Sequence, residues 1–430
     1  KIIGPYLERI EGLRNPARYL DIAQYHFLLA YVAWLEKKTG SVVEQAKLAC
    51  EWGKKSGCPY HILYYSWEVA LSMASGGRYQ EALKLNDEIR RESKKYHVTS
   101  VEHATYMLEA ELGLDINDSK RCVNALRPGL KLGRECNYRN YMSWRADLVR
   151  QLFVIALEND IETDFVCSLI RQRQLIPPDD TPVPDSWPFP IKVYTLGRFS
   201  LLIDDKPVVF KGKAPKKSLE LLKALVAFGG REVSIEKITD ALWPDAEGDA
   251  AYQSFTMALQ RLRKLLQHKD VLILSEGKLS LDPRYAWVDV WAFEHSLGNP
   301  AQQETGKALA LYKGHFLQTE PETAWMLSLQ EHLKHRYLQT VEKQGADLEQ
   351  SGQYEQAINI YEQGLKYDPL TEPFYQGLMR CHEQLGKLSE ALKIYERCKQ
   401  ALMHGLDIGP SNQTKRLYRS LQEKAGIPPN

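Results

Sequence analysis

The sequence predicts a mainly α protein in which two arrays of paired helices flank a small α+β domain. Three observations predict it. One phrase recurs 34 residues apart, pairing Gly352 with Gly386, Ala357 with Ala391 and Tyr361 with Tyr395, which is the tetratricopeptide period. Residues 177–190, PPDDTPVPDSWPFP, hold six prolines in fourteen positions, and proline's fixed φ and missing donor make this an extended linker. Between 191 and 297 the helical patterning gives way at both ends to short β-branched, alternating runs.

Before the linker, residues 1–176 read as helices throughout. YLDIAQYHFLLAYVAWLEKK and HILYYSWEVALSMASGG carry apolar residues at helical spacing. Breaks at KTGS, SGCP, SGGR and GRECNY divide the segment into pairs that recur at roughly 40 residues, an α-solenoid of about four units. The phrase GGRYQEALKLND at 76–87, through Gly77, Tyr79 and Ala82, repeats the C-terminal one. His26, His61, His97 and His103 lie inside these repeats and read as structural histidines. Trp34, Trp52, Trp67 and Trp144 read as packing between helices, with an effector groove as the sharper alternative.

The segment 191–297 opens with IKVYTLGRFSLLIDDKPVVF, two strands about an Asp204-Asp205 turn. Three helical patterns follow: KKSLELLKALVAFGG, SIEKITDALWP with Ser234 at an N-cap position, and a third at about 250–267. VLILSEGKLSLDP then reads as a hairpin about Glu276-Gly277. The expected order is β-β-α-α-α-β-β. From 298 to 430 the 34-residue repeat takes over, its small Gly and Ala letting helices approach and its tyrosines filling the groove between them.

Composition sets few limits. A formal charge of +1 and a charged fraction of 26% are ordinary, so any nucleic-acid signal must be local. The seven cysteines form no CxxC and no zinc-ligand cluster, as suits a reduced cytoplasmic protein. No apolar run approaches the ~18 residues of a membrane span. No GxSxG, HExxH or GxxxxGK[ST] occurs, so the sequence suggests neither an enzyme nor a metal or cofactor site. The chain opens on Lys1 without a signal peptide or Met, and is expected to continue upstream.

The local signal lies in the third helix. In AYQSFTMALQRLRKLLQHKD, Phe255, Leu259, Leu262 and Leu266 form one narrow stripe. The opposite side carries Gln253, Met257, Gln260, Arg261 and Lys264, with Ser254 and Arg263 further round. Gln and Arg can bond base edges bidentately, Met can meet a thymine methyl, and a helix fits the major groove. No acid occurs from 250 to 269. Lys213, Lys216 and Lys217 belong to a basic stretch leading into the first helix, where lysines and free amides can hold phosphate. Lys278 stands at the hairpin tip.

ALWPDAEGDAAYQSFTMALQRLRKLL and SEGKLSLDPRYAWVDVWAFE resemble the OmpR-type winged helix of the Streptomyces antibiotic regulatory protein (SARP) family. The carrying phrases are Leu242-Trp243-Pro244, Leu259 to Leu266, Leu281-Asp282-Pro283 and Val288-Asp289 to Phe293. ALALYKGHFL and YERCKQALMHGLDIGPSNQTKRLYRSL resemble the opening and close of the bacterial transcriptional activation domain that follows it in that family. The resemblance covers about 191–421 and implies a DNA-binding activator. That activator would read promoter direct repeats side by side and recruit RNA polymerase. In the resemblance Arg261 takes the place of a base- or phosphate-contacting arginine and Arg263 of a backbone-contacting one. The family's Gly-Tyr-Arg-like wing is replaced by Gly277-Lys278-Leu279-Ser280. Residues 1–176 resemble the sensor arms of signal-transduction ATPases with repeats, which implies an effector or protein partner there and an ATPase upstream of Lys1. The competing readings are a helical-repeat scaffold whose winged helix does not bind DNA, and the C-terminal part of a larger nucleotide-switched regulator.

Overall fold

A computed structural model describes residues 17–36, 38–140, 145–178, 183–210, 214–298 and 302–426, with Arg9, Glu11 and Asn15 besides. Lys213 and Trp144, both singled out above, lie outside the described residues. The chain is mainly α and divides into two compact units, Lys1–Pro188 and Phe189–Asn430.

From residue 19 on, the described residues of the first unit form four helix pairs: α1 (Tyr19–Leu35), α2 (Thr39–Ser56), α3 (Pro59–Ser75), α4 (Tyr79–Lys95), α5 (Thr99–Asp115), α6 (Ser119–Glu135), α7 (Ala146–Glu158) and α8 (Thr163–Arg173). The first six begin 20 residues apart. The cadence has a backbone cause. Gly57, Gly77, His97, Asn117 and Asn137, also 20 apart, all adopt φ between 54° and 77°. At the last four of these the next amide reaches back to a carbonyl inside the helix, as in Arg78 N to Met73 O at 2.9 Å and Tyr138 N to Gly133 O at 2.7 Å. This left-handed closure satisfies the helix's last carbonyls and reverses the chain in two residues. Gly and Asn tolerate it; His97 adopts it without that advantage.

Small residues then let the pairs close. Ala23, Ala30, Ala46 and Ala49 pack with Tyr65 and Val69, while Trp67 anchors a second core with Leu71, Leu83 and Leu108. Trp67, 2% exposed, is therefore core rather than groove lining. Between α4, α5 and α6, Glu109 accepts from Arg90 at 2.5 Å and from Arg121 at 3.0 Å. His26 pairs with Gln45 and His61 with Cys58. His103 is buried beneath Tyr138, and burial pulls its pKa down to about 4.

The second unit opens on a sheet of β1 (Ile191–Tyr194), β2 (Ser200–Ile203) and β3 (Lys206–Pro207). Asp204 and Asp205, at φ 49° and 59°, make the tight turn between β2 and β3. Then come α9 (Lys216–Ala227), β4 (Val233–Ser234), α10 (Ile235–Leu242) and α11 (Gly248–Leu266). The hairpin is β5 (Leu272–Ser275) and β6 (Lys278–Leu281), turned at Glu276 and Gly277 with φ 50° and 71°. β7 (Ala286–Val288) returns to lie parallel to β1, Ile191 opposite Ala286, and β4 joins the hairpin beside β6. The strand expected before the Asp204-Asp205 turn is divided into β1 and β2, the one after it is β3, and the order gains β4 and β7, each of only two or three residues, too few for an alternating pattern to register.

Helices α12 (Asp289–Gly298), α13 (Gln302–Leu311), α14 (Ala324–Gln350), α15 (Tyr354–Tyr367), α16 (Glu372–Gln384), α17 (Leu388–Leu406) and α18 (Asn412–Lys424) complete the unit. Tyr361 of α15 packs where Gly345 of α14 and Gly377 of α16 have no side chain, and its hydroxyl donates to Glu349 at 2.5 Å. Arg380 donates to the same carboxylate at 2.8 Å.

No seam falls at 297/298, where the sequence reading placed a boundary. One core runs from Ile191 through Leu222, Leu262 and Phe293 to Phe316, Tyr337 and Leu421. Asp289, 2% exposed, accepts from the Thr195 amide (2.6 Å), the Leu196 amide (2.7 Å) and the Thr195 hydroxyl (2.7 Å). The same loop pairs with the chain beyond α13: Leu317 N donates to Thr195 O at 2.7 Å and Gly197 N to His315 O at 3.0 Å. Lys223 of α9, 7% exposed, meets Glu320 at 2.7 Å.

Candidate DNA-binding surface

Helix α11 buries one face and leaves another open, as its pattern requires. Phe255, Leu259, Leu262 and Leu266 are at most 3% exposed, with Ala251 and Ala258 beside them. They pack in one core with Leu221, Leu222 and Leu225 of α9 and Ile238 of α10. Gln253, Met257, Gln260, Arg261 and Lys264 are all exposed, and Ser254 is half-buried at the edge of that arc. None of the five makes a hydrogen bond or ion pair with another described residue. Met257 is 53% exposed, a cost to an apolar side chain unless something meets it.

The flanking cations behave differently from one another. Lys216 is exposed at the first turn of α9. Lys217 donates to Leu242 O at 3.0 Å, pairs with Glu220 at 3.0 Å and lies 5.7 Å from the Trp243 ring. It therefore ties α9 to the end of α10 while its side chain stays 54% exposed. Arg263 donates to Leu272 O at 3.1 Å, fixing the base of the hairpin to α11. Lys278 is half exposed and 3.5 Å from Glu232, a surface pair worth little that phosphate can displace. Glu232 N also bonds Ser280 Oγ at 2.8 Å, and Ile235 N bonds Gly277 O at 2.9 Å, so the hairpin is held at tip and base.

Sequence reading missed Tyr252. It is 52% exposed, one residue before Gln253 and on the same flank of α11 as Thr256 and Arg263. An exposed tyrosine in the first half of a basic helix is the signal that could have found it. Among the described residues, no group of three His, Cys, Asp or Glu could hold a metal, and no helix is long and apolar enough to cross a membrane.

Residues 292–422 match the family of the bacterial transcriptional activator domain (BTAD). No curated protein sequence matches the chain. Among solved structures, Mycobacterium tuberculosis EmbR, in complex with a low-affinity phosphopeptide, is similar at 21% identity, covering 56% of this chain and 67% of that one with a TM-score of 0.42. The TPR2AB domain of yeast Sti1 in its Hsp90 complex is similar at 10% identity, covering 93% and 98% with a TM-score of 0.30. None of these scores reaches 0.5, so neither likeness bears on function. Residues 292–422 thus carry the likeness to a bacterial transcriptional activator domain, and that match covers less than a third of the chain.

Proposed function

We propose that this activator binds promoter DNA through α11 and recruits RNA polymerase, under the control of residues 1–176. The observation that carries the reading is the open arc of Gln253, Met257, Gln260, Arg261 and Lys264, opposite a fully buried stripe on a helix with no acid between 250 and 269. Such an arc offers bidentate donors and an apolar contact to base edges, while exposed Lys216 and Lys278 neutralise phosphates on either side. Tyr252 joins the set as a backbone or base contact, and Arg263 serves mainly to hold the hairpin. Side-by-side binding to direct repeats follows the family resemblance, as does a place in the bacterial cytoplasm.

Selection from a random double-stranded DNA pool, run beside an Arg261→Ala/Lys264→Ala chain, tests the reading. A motif enriched only by the parent chain supports sequence-specific binding and supplies the operator. No enrichment at low salt would sink DNA binding by this chain and favour the scaffold reading.

A further inference from the structure

The first unit sorts its charge by helix. Helices α1, α3, α5 and α7 carry eight acids and, in Arg150, a single cation. Helices α2, α4, α6 and α8 carry fifteen cations and eight acids. Most of that excess sits on one of them. α4 balances five cations with four acids, and its exposed face mixes Lys84, Asp87, Glu88 and Arg91. α6 sets Lys120, Arg121, Arg127, Lys131 and Arg134 against Glu135 alone.

Two of these five cations are engaged within the unit. Arg121 meets Glu109 at 3.0 Å and Asp118 at 3.5 Å, and Arg134 meets Glu162 at 2.6 Å. The other three share one side. α6 buries Cys122, Ala125, Leu126, Gly129, Leu130 and Gly133. Lys120, Asn124, Arg127 and Lys131, at steps of four, three and four residues, line up on the opposite side, and all four are exposed. The row runs roughly 16 Å along the helix. Arg127 also donates to Asn159 O at 3.4 Å and stays exposed. A solvated helix face normally mixes signs, as α4 does, because opposite charges at i,i+4 attract and like charges repel. Arg127 and Lys131 are a like-charged pair at that spacing, a cost to the helix that an anion laid along the row removes.

What fits the row is a polyanion with regularly spaced charges. Lys, Arg and Asn all hold phosphate oxygens, and a duplex presents the phosphates of about five base pairs along ~16 Å. If the chain acts as proposed, DNA beside the operator is kept near it at high effective concentration, so contacts too weak to act alone add to affinity. We infer that Lys120, Asn124, Arg127 and Lys131 of α6 form a second, sequence-independent DNA contact, made to the phosphates of duplex flanking the operator. The row stands on its own geometry; the choice of DNA as its polyanion rests on the proposed function.

The operator from the pool selection tests the contact, as a duplex just long enough to cover it and as the same duplex extended by about 25 bp of arbitrary sequence on each side. The full chain is compared with its Lys120→Gln/Arg127→Gln/Lys131→Gln form by fluorescence anisotropy at several salt concentrations. On the short duplex the two should bind alike. On the long duplex the parent should gain about tenfold or more, and the triple variant should lose that gain. The variant's slope of log K against log salt there should be shallower by about two to three, the mark of three phosphate contacts. Gln is a good helix former and the sites are exposed, so the variant should melt as the parent does. Equal binding of the two chains to the long duplex would overturn the contact and leave the row to an acidic protein partner. An equal loss on both duplexes would overturn it too, because flanking DNA is then not what the row meets. A pool that yields no motif removes the DNA reading and this contact with it; a motif bound without a flank gain removes this contact alone.

Discussion

Arg261 and Lys216 are both exposed cations, yet they should fail in different ways. If Arg261 reads a base, as proposed, replacing it with Ala should cost ~1–3 kcal/mol on the selected operator and much less on random DNA, whereas equal loss on both would make it a phosphate contact. Replacing Lys216 with Ala should weaken both equally and lower the slope of log K against log salt by about one. Binding isotherms at several salt concentrations separate the two. His103 makes a prediction of another kind. Its folded pKa of about 4 lies below the ordinary value of 6.5, so the unfolded chain takes the proton first on acidification. The stabilisation from neutral, buried His103 is complete above 6.5 and is lost as pH falls towards 4. The loss amounts to roughly 3 kcal/mol at most. The difference in melting temperature between the parent chain and His103→Asn should therefore shrink from pH 7 to pH 4.

At the scale of the element, what could be read from sequence was what periodicity writes. The buried stripe of α11, the turns at Asp204-Asp205 and Glu276-Gly277, and the 34-residue phrase all stand where the patterning put them. The short strands β4 and β7 were illegible because pairing partners distant in sequence, not local pattern, make them strands. The candidate surface was partly legible for the same reason. A helical wheel tells which side of α11 is open, but not that Lys217 also reaches Leu242 O or Arg263 Leu272 O. The repeats carry their own test. A Cβ on Gly377 would stand 2.4 Å from the Tyr361 ring, and one on Gly345 equally close. Gly377→Ala should destabilise the second unit by about 1–3 kcal/mol despite alanine's better helix propensity. Pairing it with Tyr361→Leu should recover part of the loss, which denaturant titration would show as non-additivity.

For the whole molecule, the absence of a seam at 297 matters most. A fragment of residues 191–297 lacks His315, Phe316 and Leu317, which pair with Gly197, Leu196 and Thr195, and leaves Lys223 buried without Glu320. It should fail to give a cooperative melt, whereas residues 189–430 should melt as one transition, followed by far-ultraviolet circular dichroism. The pairing of the 195–197 loop with residues 315–317, which Asp289 holds in place as a clasp, then has a consequence for promoter architecture under the proposed function. If the chain acts as proposed, a reading head locked to its activating arm cannot swivel to find polymerase, so the face of the double helix on which the operator lies sets the arm's direction. Inserting about 5 bp between operator and promoter should abolish activation, and inserting about 10 bp should restore it. A reporter series of such spacers would oscillate with the turn of the DNA for the parent chain. It should flatten when Asp289→Ala loosens the clasp.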